Sequence, residues 1–186
     1  DGEIIWHNPV DSGQVLGGLT VQDGVAVYAG GPVVYGCDAE SGEDLWGTDI
    51  GHTVVAAVVG GGGRVFVQAG ELGVIALDGE SGDILWEAEL PLPVMMHGAT
   101  DGERVFFGCM DGYIHALDAN TGNAIWRHRM SEPEDKYTTA SFWPPVVCGD
   151  RVVMSKIPAS DGENNMVAFD TASGDIIWER RHNGGT

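Results

Sequence analysis

The sequence is short of basic residues, cysteines and long apolar runs, and each shortage excludes a class of protein. Lysine and arginine together number 9 against 28 aspartates and glutamates, so the formal net charge is -19 at pH 7. The negative electrostatic field of such a protein repels phosphate backbones, which argues against nucleic acid as a partner. No stretch approaches the ~18 consecutive apolar residues of a membrane-spanning helix, so the chain is not expected to span a membrane.

Cysteine and metal-binding patterns are equally sparse. Cys37, Cys109 and Cys148 are widely spaced, with no CxxC, adjacent Cys pair or CxxCH among them. This excludes the usual zinc-ribbon and haem-attachment motifs and favours free buried thiols, although one disulfide stays open. The histidines show no HxH or HExxH spacing, so the sequence predicts no metal site. We expect His115, within YIHALD, to pack inside a strand.

The acidic residues are spread along the whole chain, and only Lys136 and Lys156 are lysines. Such a distribution is typical of proteins that work in concentrated salt, where screening removes the self-repulsion that would destabilise them in dilute buffer. We therefore expect a halophilic origin. The alternative is an ordinary acidic exported protein.

What the sequence does contain is an internal repeat. Four segments align without gaps: GCDAESGEDLW, ALDGESGDILW, ALDANTGNAIW and AFDTASGDIIW. Each has Asp eight residues and Gly four residues before Trp; the sets are Asp38, Gly42, Trp46; Asp78, Gly82, Trp86; Asp118, Gly122, Trp126; and Asp170, Gly174, Trp178. The first three tryptophans are 40 residues apart and the fourth follows after 52. Trp6 and Gly2 extend the pattern one repeat towards the N-terminus.

Strand signals within each repeat are short and regularly punctuated. In the third copy, MMHGATD, RVFFGC, YIHALD and AIWRHR are separated by Gly, Asp and Asn turn residues. Nothing has helical length or period. Four strands in about 40 residues, repeated, predict the four-stranded antiparallel blades of a β-propeller, because a β-sandwich would not repeat its sequence at a fixed period.

Turn chemistry explains the motif without catalysis. The Asp at the end of a third strand can accept backbone N–H groups of the following turn, and the Gly supplies a positive φ. The Trp on the fourth strand can pack against the next blade while its N–H finds a backbone acceptor. We therefore interpret the four aspartates as structural, with metal or acid–base chemistry as the competing hypothesis.

These units resemble the pyrroloquinoline-quinone (PQQ)-like repeat. Its tryptophan-docking motif, Ala-x-Asp-x-x-Thr-Gly-x-x-x-Trp, is matched at every specified position by residues 116–126. Gly36 and Cys37 depart from the usual Ala-Leu, and serine replaces threonine in the other copies. The resemblance covers essentially the whole chain and implies an all-β propeller that works outside the cytoplasm. Families with this repeat include quinoprotein dehydrogenases, an outer-membrane assembly lipoprotein and sensor ectodomains.

The predicted organisation is a single partial propeller domain over residues 1–186. Residues 1–14 form the outer strand of a preceding blade; the blades are 15–52, 53–92, 93–137 and 138–186, with insertions at 131–137 and 157–165. Propellers with this repeat usually close with seven or eight blades, so we expect a piece of a larger ring. A four-bladed ring with a spare strand and an eight-bladed ring of two chains are alternatives. Open ends would favour self-association.

The resemblance implies three candidate functions. A quinoprotein dehydrogenase would carry an adjacent Cys-Cys pair and a Glu/Asn/Asp calcium set, and the chain has no Cys-Cys. We therefore assign no catalytic, cofactor or metal residue and expect PQQ and calcium only if the chain belongs to a dehydrogenase. The favoured prediction is a non-enzymatic binding or assembly scaffold with a protein partner; a dehydrogenase fragment and a sensor ectodomain are the alternatives.

Residues that break the repeat point to a candidate binding surface. Aligning the innermost strands places Met96 with Ala56 and Trp143, and His97 with Ala57 and Pro144. The candidate surface is the apolar and aromatic set Met95, Met96, His97, Phe142 and Trp143. Such a patch predicts a ligand or partner site, and filling of the central channel is the competing interpretation.

Overall fold

A computed structural model describes residues 2–7, 18–54, 58–69, 73–92, 94, 97–130, 143–156 and 163–183. All regular structure in these ranges is β, in four antiparallel four-stranded sheets. Among these residues there is no helix whose length and apolar character would let it cross a lipid bilayer. The predicted all-β blade architecture is confirmed, while the number of blades in a closed ring stays a prediction.

Each sheet is one blade, and its four strands are consecutive in the chain. Blade 1 contains β1 (Thr20–Gln22), β2 (Val25–Gly30), β3 (Val33–Asp38) and β4 (Asp44–Asp49). Blade 2 contains β5 (Val59–Gly61), β6 (Arg64–Gln68), β7 (Gly73–Asp78) and β8 (Ile84–Glu89). Blade 3 contains β9 (Ala99–Thr100), β10 (Arg104–Gly108), β11 (Tyr113–Asp118) and β12 (Ala124–Arg129). Blade 4 contains β13 (Val146–Cys148), β14 (Arg151–Lys156), β15 (Glu163–Asp170) and β16 (Ile176–Asn183).

Strand order within a blade gives the molecule two distinct faces. Because neighbouring strands are antiparallel and sequential, the hairpins after the first and third strands lie at one end. This end is the docking face, since it carries the motif hairpins 38–44, 78–84, 118–124 and 170–176. The opposite end, the connector face, carries the second-to-third-strand hairpins and the connections between blades.

The core lies between blades and not within a separate layer. Side chains alternate along each strand, so a central strand packs against the preceding blade with one set of residues and the following blade with the other. In β6, Val65 and Val67 are buried against blade 1, whereas Phe66 is buried against blade 3. Three such apolar clusters join the four blades in series.

Each motif hairpin is closed by its aspartate and its glycine. In the third copy, Asp118 Oδ1 accepts the backbone N–H groups of Asn120 and Thr121, each at 2.9 Å. The glycine in the hairpin has a positive φ, 72° at Gly122 and 75° in the other three copies. A side chain would be strained there, so the motif requires glycine.

The motif tryptophans join consecutive blades through that glycine. The Trp126 ring lies over Gly174 of blade 4, and its indole N–H donates to the carbonyl oxygen of Thr171 at 2.9 Å. Trp86 makes the same contacts with Gly122 and Ala119 of blade 3. Blade 2 is therefore fastened to blade 3, and blade 3 to blade 4, by one stacking contact and one hydrogen bond of a motif tryptophan.

Trp46 is an exception to this hydrogen-bond pattern. Its ring lies over Gly82, but its indole N–H is buried and has no acceptor among the described residues. A β-carbon on Gly36 would lie only 2.2 Å from Trp46 Cε2, so the ring occupies space that an alanine methyl would need. Blade 1 has Gly36 where the repeat usually has alanine, and the absence of that methyl group determines how Trp46 packs.

One boundary of the sequence interpretation is corrected, and two other assignments stay predictions. The assignment of residues 1–14 to the outer strand of a preceding blade stays a prediction; Trp6 makes docking contacts like those of Trp86 and Trp126, since it lies over Gly42 and donates to Ala39 O at 3.1 Å. The predicted loop at 157–165 ends earlier, because β15 pairs with both neighbours from Glu163 or Asn165 onwards. The other insertion, 131–137, lies outside the described residues.

The cysteine prediction is partly wrong. None of the three is in a disulfide, and Cys37 and Cys109 are buried as expected. Cys148 is exposed, because on the innermost strand β13 Val147 packs against blade 3 while Val146 and Cys148 point to the opposite face, which no described blade covers.

Candidate functional site

The candidate surface of the sequence analysis falls on the connector face, and the structure describes part of it. His97 and Trp143 both precede the innermost strands of neighbouring blades, β9 and β13, which contact each other. Both side chains are exposed, Trp143 by 58%. Met95, Met96 and Phe142 lie outside the described residues. Whether the five residues form one patch stays a prediction.

Other apolar side chains are exposed along the inner strands. Val21 on β1 and Val146 on β13 are both exposed, as is Leu92 in the connection that enters blade 3. They belong to three different parts of the chain, namely blade 1, blade 4 and the connection between blades 2 and 3. Apolar surface of this kind is typical of binding sites when it is contiguous.

A second feature of the connector face was not predicted from the sequence. The hairpin between β10 and β11 brings together Cys109, Asp111 and His115, whose candidate ligand atoms all lie within 4.8 Å of one another. His115 Nε2 is 2.9 Å from Asp111 Oδ2, while Asp111 Oδ1 accepts the backbone N–H of Tyr113 at 3.0 Å. We call these three residues the Cys-Asp-His cluster.

The cluster is also tied to the connection from blade 2. The Cys109 thiol donates to the carbonyl oxygen of Leu92 at 3.0 Å, and Val94 pairs with Cys109 as an isolated bridge. The cluster therefore lies where the chain passes over the end of the interface between blades 2 and 3. His115 belongs to the side of β11 that faces blade 2, together with Leu117.

Burial dominates the electrostatics of the cluster. His115 is 4% exposed, and the side chain of Asp111 is 11% exposed and forms its solvent edge. Burial raises the pKa of the Cys109 thiol to about 11, and the nearby Asp111 charge acts in the same direction. In the metal-free protein Cys109 is therefore a neutral thiol that behaves as a weak hydrogen-bond donor.

Only blade 3 has these side chains at the equivalent positions. The residue three before the motif aspartate is Tyr35, Ile75 and Val167 in the other blades, and His115 in this one. Ala69 is the blade 2 counterpart of Cys109, since each donates its N–H to the carbonyl of the residue four further on. The sequence signal was therefore present, but it appears only when blades are compared position by position.

The docking face has a cleft of about 750 Å³ between blades 1 and 2. Its polar lining includes Asp23, Asp38, Asp78 and Glu80. Asp38 and Asp78 already accept backbone N–H groups of their own hairpins. The acidic lining thus follows from the motif, and the aspartates of the motif are engaged in turn geometry at all four hairpins.

Comparisons place these features among known proteins. The family model described as outer membrane protein assembly factor BamB matches residues 1–186. BamB from Moraxella catarrhalis has a TM-score of 0.62 at 21% identity, over 89% of this chain and 61% of that one. Quinohemoprotein alcohol dehydrogenase ADHIIG from Pseudomonas putida HK5 has a TM-score of 0.71 at 18% identity, over 95% and 35%. The computationally designed Ika4 protein has a TM-score of 0.70 at 18% identity, over 89% and 98%.

The chain spans less than two thirds of the length of either natural structure. At these identities the likeness shows the β-propeller fold, which hosts both an assembly factor and a dehydrogenase and does not choose between them. No curated protein matches the sequence significantly.

Proposed function

We propose, since this chain belongs to the family of the outer membrane protein assembly factor BamB, that it is a non-enzymatic binding scaffold. It would hold a protein partner on the connector face of a rigid propeller, outside the cytoplasm. The blades supply stiffness because apolar clusters and docked tryptophans join them in series. A preformed surface binds with a smaller entropic cost than a mobile one.

The observation that carries the proposal is the contrast between Trp143 and the motif tryptophans. Trp86 and Trp126 are docked against the next blade, whereas Trp143 is 58% exposed and belongs to no repeat motif. An exposed tryptophan on a rigid scaffold is the type of residue that dominates protein interfaces when a partner covers it. Val146 on β13 and Leu92 in the connection that enters blade 3 are further exposed apolar side chains.

A site-specific crosslink tests this surface. The photoreactive residue p-benzoylphenylalanine replaces Trp143 in the full-length protein in its own cells, and irradiation is followed by mass spectrometry. We expect one discrete crosslinked protein. Ile125 is the matched control, because it is 43% exposed but lies on the outer strand β12.

The same surface predicts a loss of affinity. With the partner identified, Trp143→Ala should weaken binding about thirtyfold, the factor that corresponds to a tryptophan hot spot of about 2 kcal/mol. Ile125→Ala should leave the affinity unchanged. Equal crosslinking from both positions, or unchanged affinity in Trp143→Ala, would contradict the proposal.

A dehydrogenase remains the alternative that the relatives raise. Calcium binds about six to eight oxygen ligands, which proteins supply from several carboxylates, carbonyl groups and water molecules. The Cys-Asp-His cluster offers one carboxylate with a thiol and an imidazole, so it does not fit calcium. Tight binding of PQQ with calcium to the full-length protein, together with dye-coupled oxidation of alcohols or sugars, would overturn the scaffold proposal.

A further inference from the structure

We propose that Cys109, Asp111 and His115 form a binding site for one divalent metal ion of the zinc type at the connector end of blade 3. The site does not depend on the proposed scaffold function, because it lies entirely within one chain. Its ligands would be Cys109 Sγ, one carboxylate oxygen of Asp111 and His115 Nε2.

The distances between these atoms are close to those that a metal requires. Zinc binds sulfur at about 2.3 Å and imidazole nitrogen or carboxylate oxygen at about 2.0–2.2 Å, so tetrahedral ligand atoms lie roughly 3–4 Å apart. His115 Nε2 and Asp111 Oδ2 are already 2.9 Å apart, and no pair in the cluster exceeds 4.8 Å. Small side-chain rotations are therefore enough to surround an ion.

The fold does not need these polar groups. In the metal-free protein the buried imidazole and carboxylate are paired with each other, but the position of His115 is filled by Ile75 in blade 2 and by Val167 in blade 4, so apolar side chains can serve there. Both of those side chains are buried in the apolar clusters between blades. Blade 3 therefore departs from the packing of its neighbours and places at this position polar groups that can bind a metal ion.

The donor set selects the kind of metal. Thiolate and imidazole favour zinc and its neighbours among the transition metals, whereas calcium and magnesium prefer oxygen ligands alone. Coordination requires the Cys109 thiolate and an unprotonated His115 Nε2. When the ion binds, the thiol proton therefore passes to water, and the Nε2 proton that is shared with Asp111 in the metal-free protein is lost to water while Nδ1 carries the N–H of the neutral ring. The thiol then gives up its hydrogen bond to Leu92 O.

Three protein ligands leave a fourth tetrahedral position. Asp111 is the most exposed member of the cluster, so this position lies towards the connector face. Water or a side chain of a bound protein would occupy it. The site is thus placed to respond to what binds at the end of blade 3.

Cobalt titration of the full chain tests the site directly. Co²⁺ replaces Zn²⁺ with the same ligands, and a cobalt–thiolate bond adds near-ultraviolet charge-transfer absorption that oxygen and nitrogen ligands do not produce. We expect one Co²⁺ per chain with this absorption, and its loss when Zn²⁺ is added.

The chain itself supplies the best variants. Cys109→Ala introduces the residue that blade 2 has at this position and should abolish the charge-transfer band. His115→Ile also introduces the blade 2 residue, and it should weaken binding of Co²⁺ at least about tenfold. Asp111→Asn is a third variant that keeps an acceptor for the backbone N–H of Tyr113. The matched controls are Cys148→Ala and His97→Ala, which remove an exposed thiol and an exposed imidazole. Circular dichroism without metal confirms that each variant is folded.

Each outcome decides the question. Loss of the band in Cys109→Ala with retention in Cys148→Ala supports the site. No charge-transfer band in the wild type, a band that follows Cys148, or binding that is insensitive to all three cluster variants would overturn the proposal, because the ion would then be absent or held adventitiously.

Discussion

At the residue scale, one missing methyl group changes the junction between blades 1 and 2. Three blades have alanine opposite the motif tryptophan, at Ala76, Ala116 and Ala168, whereas blade 1 has Gly36. The Trp46 ring moves into the vacated space and leaves its buried N–H without an acceptor in the described structure. A buried donor without a partner costs about 1–3 kcal/mol. Blades 1 and 2 are joined instead by the hydrogen bond that Thr48 Oγ1 donates to the carbonyl oxygen of Gly82 at 2.7 Å.

Gly36→Ala should therefore destabilise the protein. The new methyl would lie 2.2 Å from Trp46 Cε2, and overpacking of this kind costs about 1–3 kcal/mol. Urea unfolding at one fixed salt concentration measures the loss in the free energy of unfolding.

Gly47→Ala is the matched control on the adjacent strand. Its methyl would meet the Tyr35 ring at 3.4 Å, which is ordinary contact, so stability should stay the same or rise by up to about 1 kcal/mol. A Gly36→Ala variant as stable as the wild type would show that Trp46 moves aside without cost, contrary to this prediction.

At the element scale, the motif hairpin is the unit that repeats. Its aspartate accepts hydrogen bonds at the turn and its glycine receives the tryptophan of the preceding blade. The hydroxyl and backbone N–H of Thr121 and the backbone N–H of Asn120 lower the pKa of Asp118. Backbone N–H groups of the serine in the turn are the main cause of the lowered pKa of Asp38, Asp78 and Asp170.

These four lowered pKa values predict acid sensitivity of the hairpins. A carboxylate whose pKa is lower in the folded state stabilises the fold above its unfolded pKa of about 3.9. That stabilisation is lost as the pH falls through the folded-state pKa. Thermal unfolding midpoints measured at constant salt should therefore drop steeply below about pH 4.

Asp118→Asn isolates one hairpin from the others. The variant should be less stable than the wild type at neutral pH and should lose less additional stability on acidification. Glu40→Gln removes an exposed carboxylate from another hairpin without removing a motif acceptor, so its acid profile should match that of the wild type. An unchanged acid profile in Asp118→Asn would contradict the role of this carboxylate.

At the scale of the whole molecule, a series of blades carries a large excess of negative charge. The net charge of -19 opposes compaction through self-repulsion, while the three inter-blade clusters favour it. Salt screens the repulsion between exposed charges and has less effect on buried contacts. The free energy of unfolding should therefore rise with ionic strength. This effect comes from exposed charges in all the blades and not from one site.

The unfolding midpoint should rise between low salt and molar KCl. Exposed glutamates on blades 1 and 2 offer the control variant, in which Glu40, Glu80, Glu87 and Glu89 are changed to glutamine. This variant should depend less on salt than the wild type because it has fewer repelling charges. A midpoint that does not rise with KCl would show that the acidic composition has another cause, and the halophile hypothesis would fail.

Local patterns carry most of the information on the fold. A hairpin needs only its own Asp and Gly, and a blade needs only the alternation within four short strands, so both can be predicted from residues close together in the chain. The candidate site is different. Trp143 was predicted from its departure from the repeat, but its exposure depends on which strands surround β13.

The repeat, the blade and the docking motif were determined by the amino-acid sequence alone, because their interactions are local and periodic. Only the folded structure decided that Cys109, Asp111 and His115 meet, since the geometry of the hairpin between β10 and β11 brings their side chains within 4.8 Å of one another. It also decided that Trp46 fills the space above Gly36. The first depends on the geometry of one turn and the second on close packing between strands. A difference of one methyl group changes such packing, and the periodic pattern of the repeat does not predict it.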